Sequence, residues 1–250
     1  MAEPRIVSLS RLDLPFTQKP WRFALERRAE IDSHFAALQA ANPRLWNGRV
    51  LLMHEHELVG DVLRGAYFET DFASFMAWRD WKFPDPAIRN CFALGALQSS
   101  DGAFLLGVMA PHTSNPGKIY FAGGTPEPAD VVAGCVDLQL NAVRELAEET
   151  GLSMSDFQVE PGWHAVLDGP RIAMMRPLRV AMPADALRAR ILEHFPHDTH
   201  AELSDMRIVR SLSDLDPMMP DYMAAYLRFR LAGGGRVTGS IDAVAKNLLQ

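Results

Sequence analysis

The sequence has little cysteine, no long apolar run and no basic surplus, and each shortage removes a class of protein. Two cysteines in 250 residues, Cys91 and Cys135, are too few for a disulfide framework. No CxxC pairing points to zinc or redox chemistry, so both are expected as buried free thiols in a reducing compartment. No window approaches the ~18 consecutive apolar residues of a membrane span. The start, MAEPRIVSLSRLDLPF, places acidic and polar residues where a signal peptide has its apolar core. A soluble, cytoplasmic chain without a membrane partner is expected. The 25 Lys and Arg are outnumbered by 31 Asp and Glu, a formal charge of −6, which argues against a nucleic-acid surface. AGGGR near the C-terminus lacks the spacing and the Lys-Ser/Thr of a P-loop, and no GxSxG elbow occurs. Internal repeats and low-complexity tracts are missing as well.

What remains is ordinary globular material, 48% apolar and 22% charged, long enough for one large domain or two small ones. An apolar pattern at three-to-four spacing predicts a helix from about Trp21 to Ala40, stopped by Asn42-Pro43. WNGRVLLMHEHELVGDVLRGAYFET reads as extended, with turns at Asn47-Gly48 and Val59-Gly60. Asp71 is a candidate N-cap for a helix over DFASFMAWRDWKF. Two apolar runs then flank Ser99-Ser100-Asp101-Gly102, which is hairpin chemistry. A short strand IYFAGG follows, then a Pro- and Ala-rich linker and a helix over DLQLNAVRELAEETG. RIAMMRPLRVAMP and MRIVRSL read as strands, ALRARILEHF and PDYMAAYLRFRL as helices. The reading divides the chain into an N-terminal αβ region (residues 1–88), a main α/β domain (89–235) and a C-terminal tail or short helix (236–250).

The helix over residues 137–150 carries the chemistry. At about 100° per residue, Asp137, Asn141, Arg144, Glu145, Glu148 and Glu149 fall on one side. Leu140, Val143, Leu146 and Ala147 fall on the other, with Gly151 placed to end the helix. A solvated face would do better with alternating signs. Glu145 and Glu149 are a like-charge i,i+4 pair, and all three glutamates lie at the negative end of the helix dipole. Three carboxylates at i, i+3 and i+4 suit hard divalent cations, which take oxygen donors and bridge to substrate phosphates. An acidic site binds a polyphosphate only with such cations between.

RELAEETGL (Arg144–Leu152) resembles the second half of the Nudix box, Arg-Glu-apolar-X-Glu-Glu-X-Gly-apolar, and YFAGGTPEP is similar to the family's strand-ending glycine pair, Gly123 and Gly124. The resemblance implies a Nudix-type αβα sandwich around a mixed sheet over about residues 90–235, preceded by the smaller αβ region. It also implies Mg²⁺-dependent hydrolysis (Mn²⁺ as the alternative) of a nucleoside diphosphate linked to another moiety. On that reading Glu145, Glu148 and Glu149 are metal-binding and catalytic, and Arg144 holds one of them in place. Where the family pattern has its first glutamate the chain has Val136, and the loop after Gly124 is longer than usual. Asp137, on the same face as Arg144, could partly substitute for that glutamate. GGTPEPADVVAGCVDL, NPRLWNGRVLLM and ETDFASFMAWRD are similar to the UDP-sugar pyrophosphatase branch, which implies a nucleoside diphosphate sugar such as UDP-glucose.

Other assignments follow from chemistry. Gly123 and Gly124 permit close backbone approach to metal or phosphate, and Lys118 is a phosphate candidate. Glu202 and Asp205 are candidates for a further acid. Tyr67, Phe68 and Trp78 read as core more than as a stacking platform, and Asn47, Arg49 and Arg79 could reach phosphates or hydroxyls. His194, His197 and His200 suggest a metal by composition, but Pro196 breaks any helix that would align them. His54 and His56 share a strand face without a third ligand. The N-terminal region is expected to serve substrate recognition or a homodimer. The competing class is a non-catalytic Nudix module that senses a nucleotide, and ADP-ribose and coenzyme A derivatives are the alternative substrates.

Overall fold

The computed structural model describes residues 3–195 and 201–234. His197, His200 and the tail read at 236–250 lie outside the described residues.

The chain starts with two short strands, β1 (Arg5–Leu9) and β2 (Arg11–Asp13). The helix expected over residues 21–40 is two helices, α1 (Arg22–Glu26) and α2 (Arg28–Ala41). They part at Arg27, whose guanidinium lies 4.1 Å over the Trp81 ring. A contact with a residue 54 positions on carries no mark in local periodicity. The extended region is the hairpin β3 (Arg49–Val59) and β4 (Val62–Asp71), followed by α3 (Phe72–Asp80). Asp71 caps α3 as expected, its carboxylate accepting the Ser74 amide. With β2 these strands make a three-stranded sheet.

A larger mixed sheet follows from β5 (Asn90–Gln98), β6 (Phe104–Met109), β7 (Ile119–Tyr120) and β8 (Gly123–Gly124). The linker after β8 is ordered. It holds a 3-10 turn (Pro128–Asp130) and a small hairpin of β9 (Val131–Val132) and β10 (Cys135–Val136), which leads into α4 (Leu138–Thr150). Beyond α4 come β11 (Gln158–Val159), β12 (Trp163–Asp168), β13 (Arg171–Arg179), α5 (Ala184–His194), β14 (Leu203–Val209) and α6 (Asp221–Leu231). The main order is β1-β12-β13-β5-β6-β14, with β13 and β5 parallel and the other neighbours antiparallel. β1 therefore joins the large sheet at its edge, so the N-terminal segment contributes to both sheets.

Alternation along β5 buries both faces of the large sheet. Phe92 and Leu94 face one cluster, which includes Tyr222 and Tyr226 of α6. Cys91 and Ala93 face another, with Leu138 and Ala142 of α4 and Leu51, Met53 and Tyr67 of the small sheet. The fold is thus the expected α/β sandwich of a mixed sheet between helices, with the small sheet laid beside α4. A third cluster packs α2 and α3 on the outer side of the small sheet and encloses Phe68 and Trp78. Tyr67, Phe68 and Trp78 are all fully buried, as core. Cys91 is buried as expected, but Cys135 is exposed. In the two-residue β10 the alternation that turns Val136 inward turns Cys135 outward.

Candidate active site

Burial along α4 differs from the simple two-sided wheel. Leu140 is 41% exposed, whereas Leu138, Ala142, Leu146 and Glu149 form the buried stripe at near i,i+4 spacing. One of the three glutamates therefore points into the protein. Glu149 is 8% exposed, Glu145 is partly covered and Glu148 is open to solvent. Gly151 ends the helix in the left-handed conformation (φ 69°), as its position predicts.

Gly123 is what Glu149 meets. Its amide donates to Glu149 Oε1 at 3.2 Å, and Glu149 Oε2 is buried with no hydrogen-bond partner. The two glycines have different reasons to be glycine. At Gly123 φ is 149°, and an added Cβ would lie 2.2 Å from the Ala93 carbonyl oxygen, across the β8–β5 pairing. At Gly124 an added Cβ would lie 3.1 Å from the Glu145 carboxylate. Fold forbids the first side chain; room beside Glu145 disfavours the second.

Arg144 is the hub of the helix. It pairs with Glu145 (Nη2–Oε1, 2.9 Å), Glu148 (Nη1–Oε2, 3.1 Å) and Asp130 (Nη2–Oδ2, 3.1 Å). Asp130 is 0% exposed and also accepts from Asn141 Nδ2 (2.9 Å) and the Glu127 amide (2.9 Å). Asp137, the candidate to substitute in part for a glutamate at 136, is not among the acids paired with Arg144. Its carboxylate caps α4, accepting the Gln139 and Leu140 amides. Asp130 holds the arginine instead, from the 3-10 turn in the long loop. Its only sequence signal is an acid two residues after Pro128 in GGTPEPAD, where the prolines invite a turn.

The charges respond to this crowding. Burial raises the Glu145 carboxyl to about 7, against the opposing pull of Arg144 and with help from Glu148 and Glu202. Burial raises Glu149 well above the ordinary value, and the Glu145 and Glu202 charges add to it. Burial works against the Arg144 charge, but the Asp130 hydrogen bonds and the Glu145 charge outweigh it and raise its pKa.

Glu145 lies on the wall of a cavity of about 620 Å³. Lys118, Gly123, Gly124 and Glu202 line the same cavity, and so does Arg79, whose Nη1 is 3.5 Å from Asn115 Oδ1. Asp205 lies elsewhere, paired with Arg188 at 2.6 Å. Of the other polar candidates, Asn47 accepts the Ala73 amide at the start of α3 and Arg49 pairs with Glu69. His194 ends α5 with Nε2 3.4 Å from the Glu148 carbonyl oxygen. The strand register shifts between Met53 and Glu55, and His54 sits 2.9 Å from Thr17 Oγ1 while His56 is exposed. Several lining residues were not foreseen from the sequence. Asp168 and Arg171 are an ion pair (3.2 Å) at the β12–β13 turn, and Asn90 and Thr125 meet at 3.1 Å. Their positions follow from strand pairing, which local pattern does not encode.

Among the described residues no three His, Cys, Asp or Glu side chains are placed to hold a metal ion together, so Glu145, Glu148 and Glu149 do not converge as a set of three ligands. A cation that uses one or two carboxylates and takes its other oxygens from water and phosphate needs no such cage. The residues fit a cation of that kind. A buried carboxylate oxygen without a donor is costly unless a cation or proton neutralises it, and Glu149 Oε2 is such an atom.

No family model matches the chain, and no curated protein matches it either. Solved structures similar to it include the Nudix hydrolase RenU of M. smegmatis, at 20% identity over 57% of this chain and 83% of that one, with a TM-score of 0.38. The MutT protein of Methanosarcina mazei Go1 is similar at 19% identity over 59% of this chain and 96% of that one (TM-score 0.37). An Ap4A hydrolase of C. elegans is similar at 15% identity over 55% and 89% (TM-score 0.35). At this level the likenesses carry no argument about activity, which rests on the chain's own residues. No helix among the described residues is long and apolar enough to cross a membrane.

Proposed function

We propose that the protein is a Nudix-type pyrophosphohydrolase that uses Mg²⁺ (or Mn²⁺) to cleave a nucleoside diphosphate linked to another moiety, in the first instance a nucleoside diphosphate sugar such as UDP-glucose. The observation that supports this best is the orientation of α4. The helix sets Glu145 on the wall of a cavity that also holds Lys118 and Gly124, and leaves a buried, unpartnered oxygen on Glu149.

In this reading Glu145 and Glu149 would hold the cation, with Glu148 at the solvent side. When bound there, a divalent cation would neutralise these carboxylates and polarise a phosphoryl oxygen. Lys118 and Arg79 carry positive charge into the same cavity and bind the diphosphate. Arg144 is a positioning residue. Anchored by Asp130, it fixes the rotamers of Glu145 and Glu148. Gly124 leaves room for a phosphoryl group beside Glu145. In the reaction a water oxygen bonds to one phosphorus, the bridging P–O bond breaks, and the water's proton passes to a carboxylate. Glu202, from the loop before β14, is the candidate acceptor outside the helix. The products are a nucleoside monophosphate and a sugar phosphate.

Product analysis on UDP-glucose, ADP-glucose, ADP-ribose, a coenzyme A ester and the nucleoside triphosphates, with and without Mg²⁺, tests the reading. Mg²⁺-dependent UMP and glucose 1-phosphate from UDP-glucose is the expected result. Turnover of a different member replaces the substrate and keeps the chemistry. Binding of a nucleotide with no turnover of any compound overturns the hydrolase reading in favour of a sensor.

A further inference from the structure

A second cavity of about 610 Å³ adjoins the first, and Phe72, Ser114 and Glu202 wall both. Its chemistry differs. The cations Lys118, Arg79 and Arg171 line only the first, whereas the second is lined by Leu45, Trp46, Arg44, His112 and Thr113. Trp46 is 82% exposed. A single exposed hydrophobic side chain on a protein surface means nothing by itself. This one lines a cavity, on a loop that is held at several points. The Gln39 side chain donates to the Leu45 carbonyl (3.0 Å), and the Leu45 amide donates to the Asn42 carbonyl (3.1 Å). The Asn42 side chain donates to the His112 carbonyl, which ties the Trp46 loop to the loop carrying Thr113 and Ser114. The indole itself rests on Gly48, where an added Cβ would lie 3.2 Å from the ring. The loop is thus secured while its largest apolar surface is left in water beside a cavity.

We propose that this second compartment is a subsite for the nucleobase, with Trp46 as its stacking platform. The inference rests on the hydrolase reading for the phosphate end of the ligand, and extends it by assigning the other end. An indole face over a cavity takes a planar π system, and such stacking tolerates any base. The polar groups around it, the Arg44 guanidinium and the hydroxyls of Thr113 and Ser114, suit the hydrogen-bonding edge of a heteroaromatic ring. A phosphate would be placed poorly there, beside Glu202 and, among the described lining residues, with Arg44 as the one permanently charged cation. With the diphosphate in the first compartment and the base in the second, one nucleotide spans the junction at Ser114.

Calorimetric titration of UMP, AMP and ribose 5-phosphate into wild type, Trp46→Ala and Trp46→Phe tests the subsite. Wild type is expected to bind both nucleotides at least about ten-fold more tightly than ribose 5-phosphate. Trp46→Ala should erase that difference, and Trp46→Phe should keep most of it. Equal affinity of the three ligands for wild type, or equal nucleotide affinity in wild type and Trp46→Ala, overturns the proposal. A change from dimer to monomer in Trp46→Ala with unchanged nucleotide binding also overturns it, by giving Trp46 to a second copy of the chain. The two readings fail separately. Trp46-dependent binding without turnover sinks the hydrolase and keeps the subsite. Turnover with no dependence on Trp46 does the reverse.

Discussion

Asp130, fully buried in a 3-10 turn, holds Arg144 of α4 by an ion pair of 3.1 Å, across the β9–β10 hairpin and the first turns of the helix. Val136, where the Nudix pattern has a glutamate, is itself buried in the apolar cluster beside Leu138 and Ala142. In this chain the arginine's buried anchor is Asp130, from the turn before β9.

Replacing Asp130 by Asn should therefore cost roughly 3 kcal/mol of stability, because it removes one partner of a buried charge pair and leaves the guanidinium short of its anchor. A fall in the urea midpoint with unchanged slope is the expected observation. Val136→Glu should also destabilise, since it puts a carboxylate into apolar surroundings that offer it no donor. A fully stable Asp130→Asn, or a stabilised Val136→Glu, would contradict this arrangement.

The glycine pair separates fold from chemistry. Gly123→Ala forces a left-handed backbone on alanine and drives a Cβ into the Ala93 carbonyl, so a loss of more than about 3 kcal/mol is expected. At Gly124→Ala the nearest atoms to the new Cβ belong to the end of the Glu145 side chain, which can move. This variant should keep most of its stability and lose turnover by about ten-fold or more. Thermal melts and turnover of the two variants, measured side by side, check the contrast.

His164 gives a pH signature away from the helix. Burial, with Arg230 nearby, pushes its imidazole down from 6.5 to about 4. Between those values the folded protein binds fewer protons than the unfolded chain. Stability from this group is complete above pH 6.5 and is lost as pH falls towards 4. Melting temperatures from pH 7 to 4.5 should fall less steeply in His164→Gln than in wild type. Parallel slopes would remove His164 from the account.

How far the sequence was legible follows from the range of each interaction. The helix of RELAEETGL, its glycine stop, the Asp71 cap and the β3–β4 hairpin are local, and propensity and spacing placed them. Glu149 was placed on the same face as Glu148, yet the first lies on the buried stripe and the second in water. A wheel ranks side chains by angle, while the packing of α4 against β5 and β8 decides which angle is inside. Asp130 carries no local mark, because its partners Asn141 and Arg144 are eleven and fourteen residues away. The β1–β12 pairing joins residues 154 to 162 positions apart, Leu9 to Trp163 and Arg5 to Leu167, and leaves no local trace. Nothing local in the sequence singles out Trp46, which lines a cavity with Ser114 only because two distant loops come together.

Replacing Glu149 by Gln removes a desolvated carboxylate repelled by Glu145 and Glu202 and keeps its shape. Metal-free Glu149→Gln should be as stable as wild type or more so, since no buried charge remains to be neutralised. A marked fall in melting temperature in chelator would mean that the carboxylate supports the fold instead of a ligand.

The most direct test of the central claim, that α4 holds the cation for diphosphate hydrolysis, is the Mg²⁺ dependence of single-turnover hydrolysis of the best substrate in wild type and Glu149→Gln. Wild type should show no turnover in chelator and a saturable rise with Mg²⁺. Glu149→Gln should be slower by a factor of about a hundred or more, with a higher Mg²⁺ requirement. Equal rates and equal Mg²⁺ dependence in the two proteins would contradict the account.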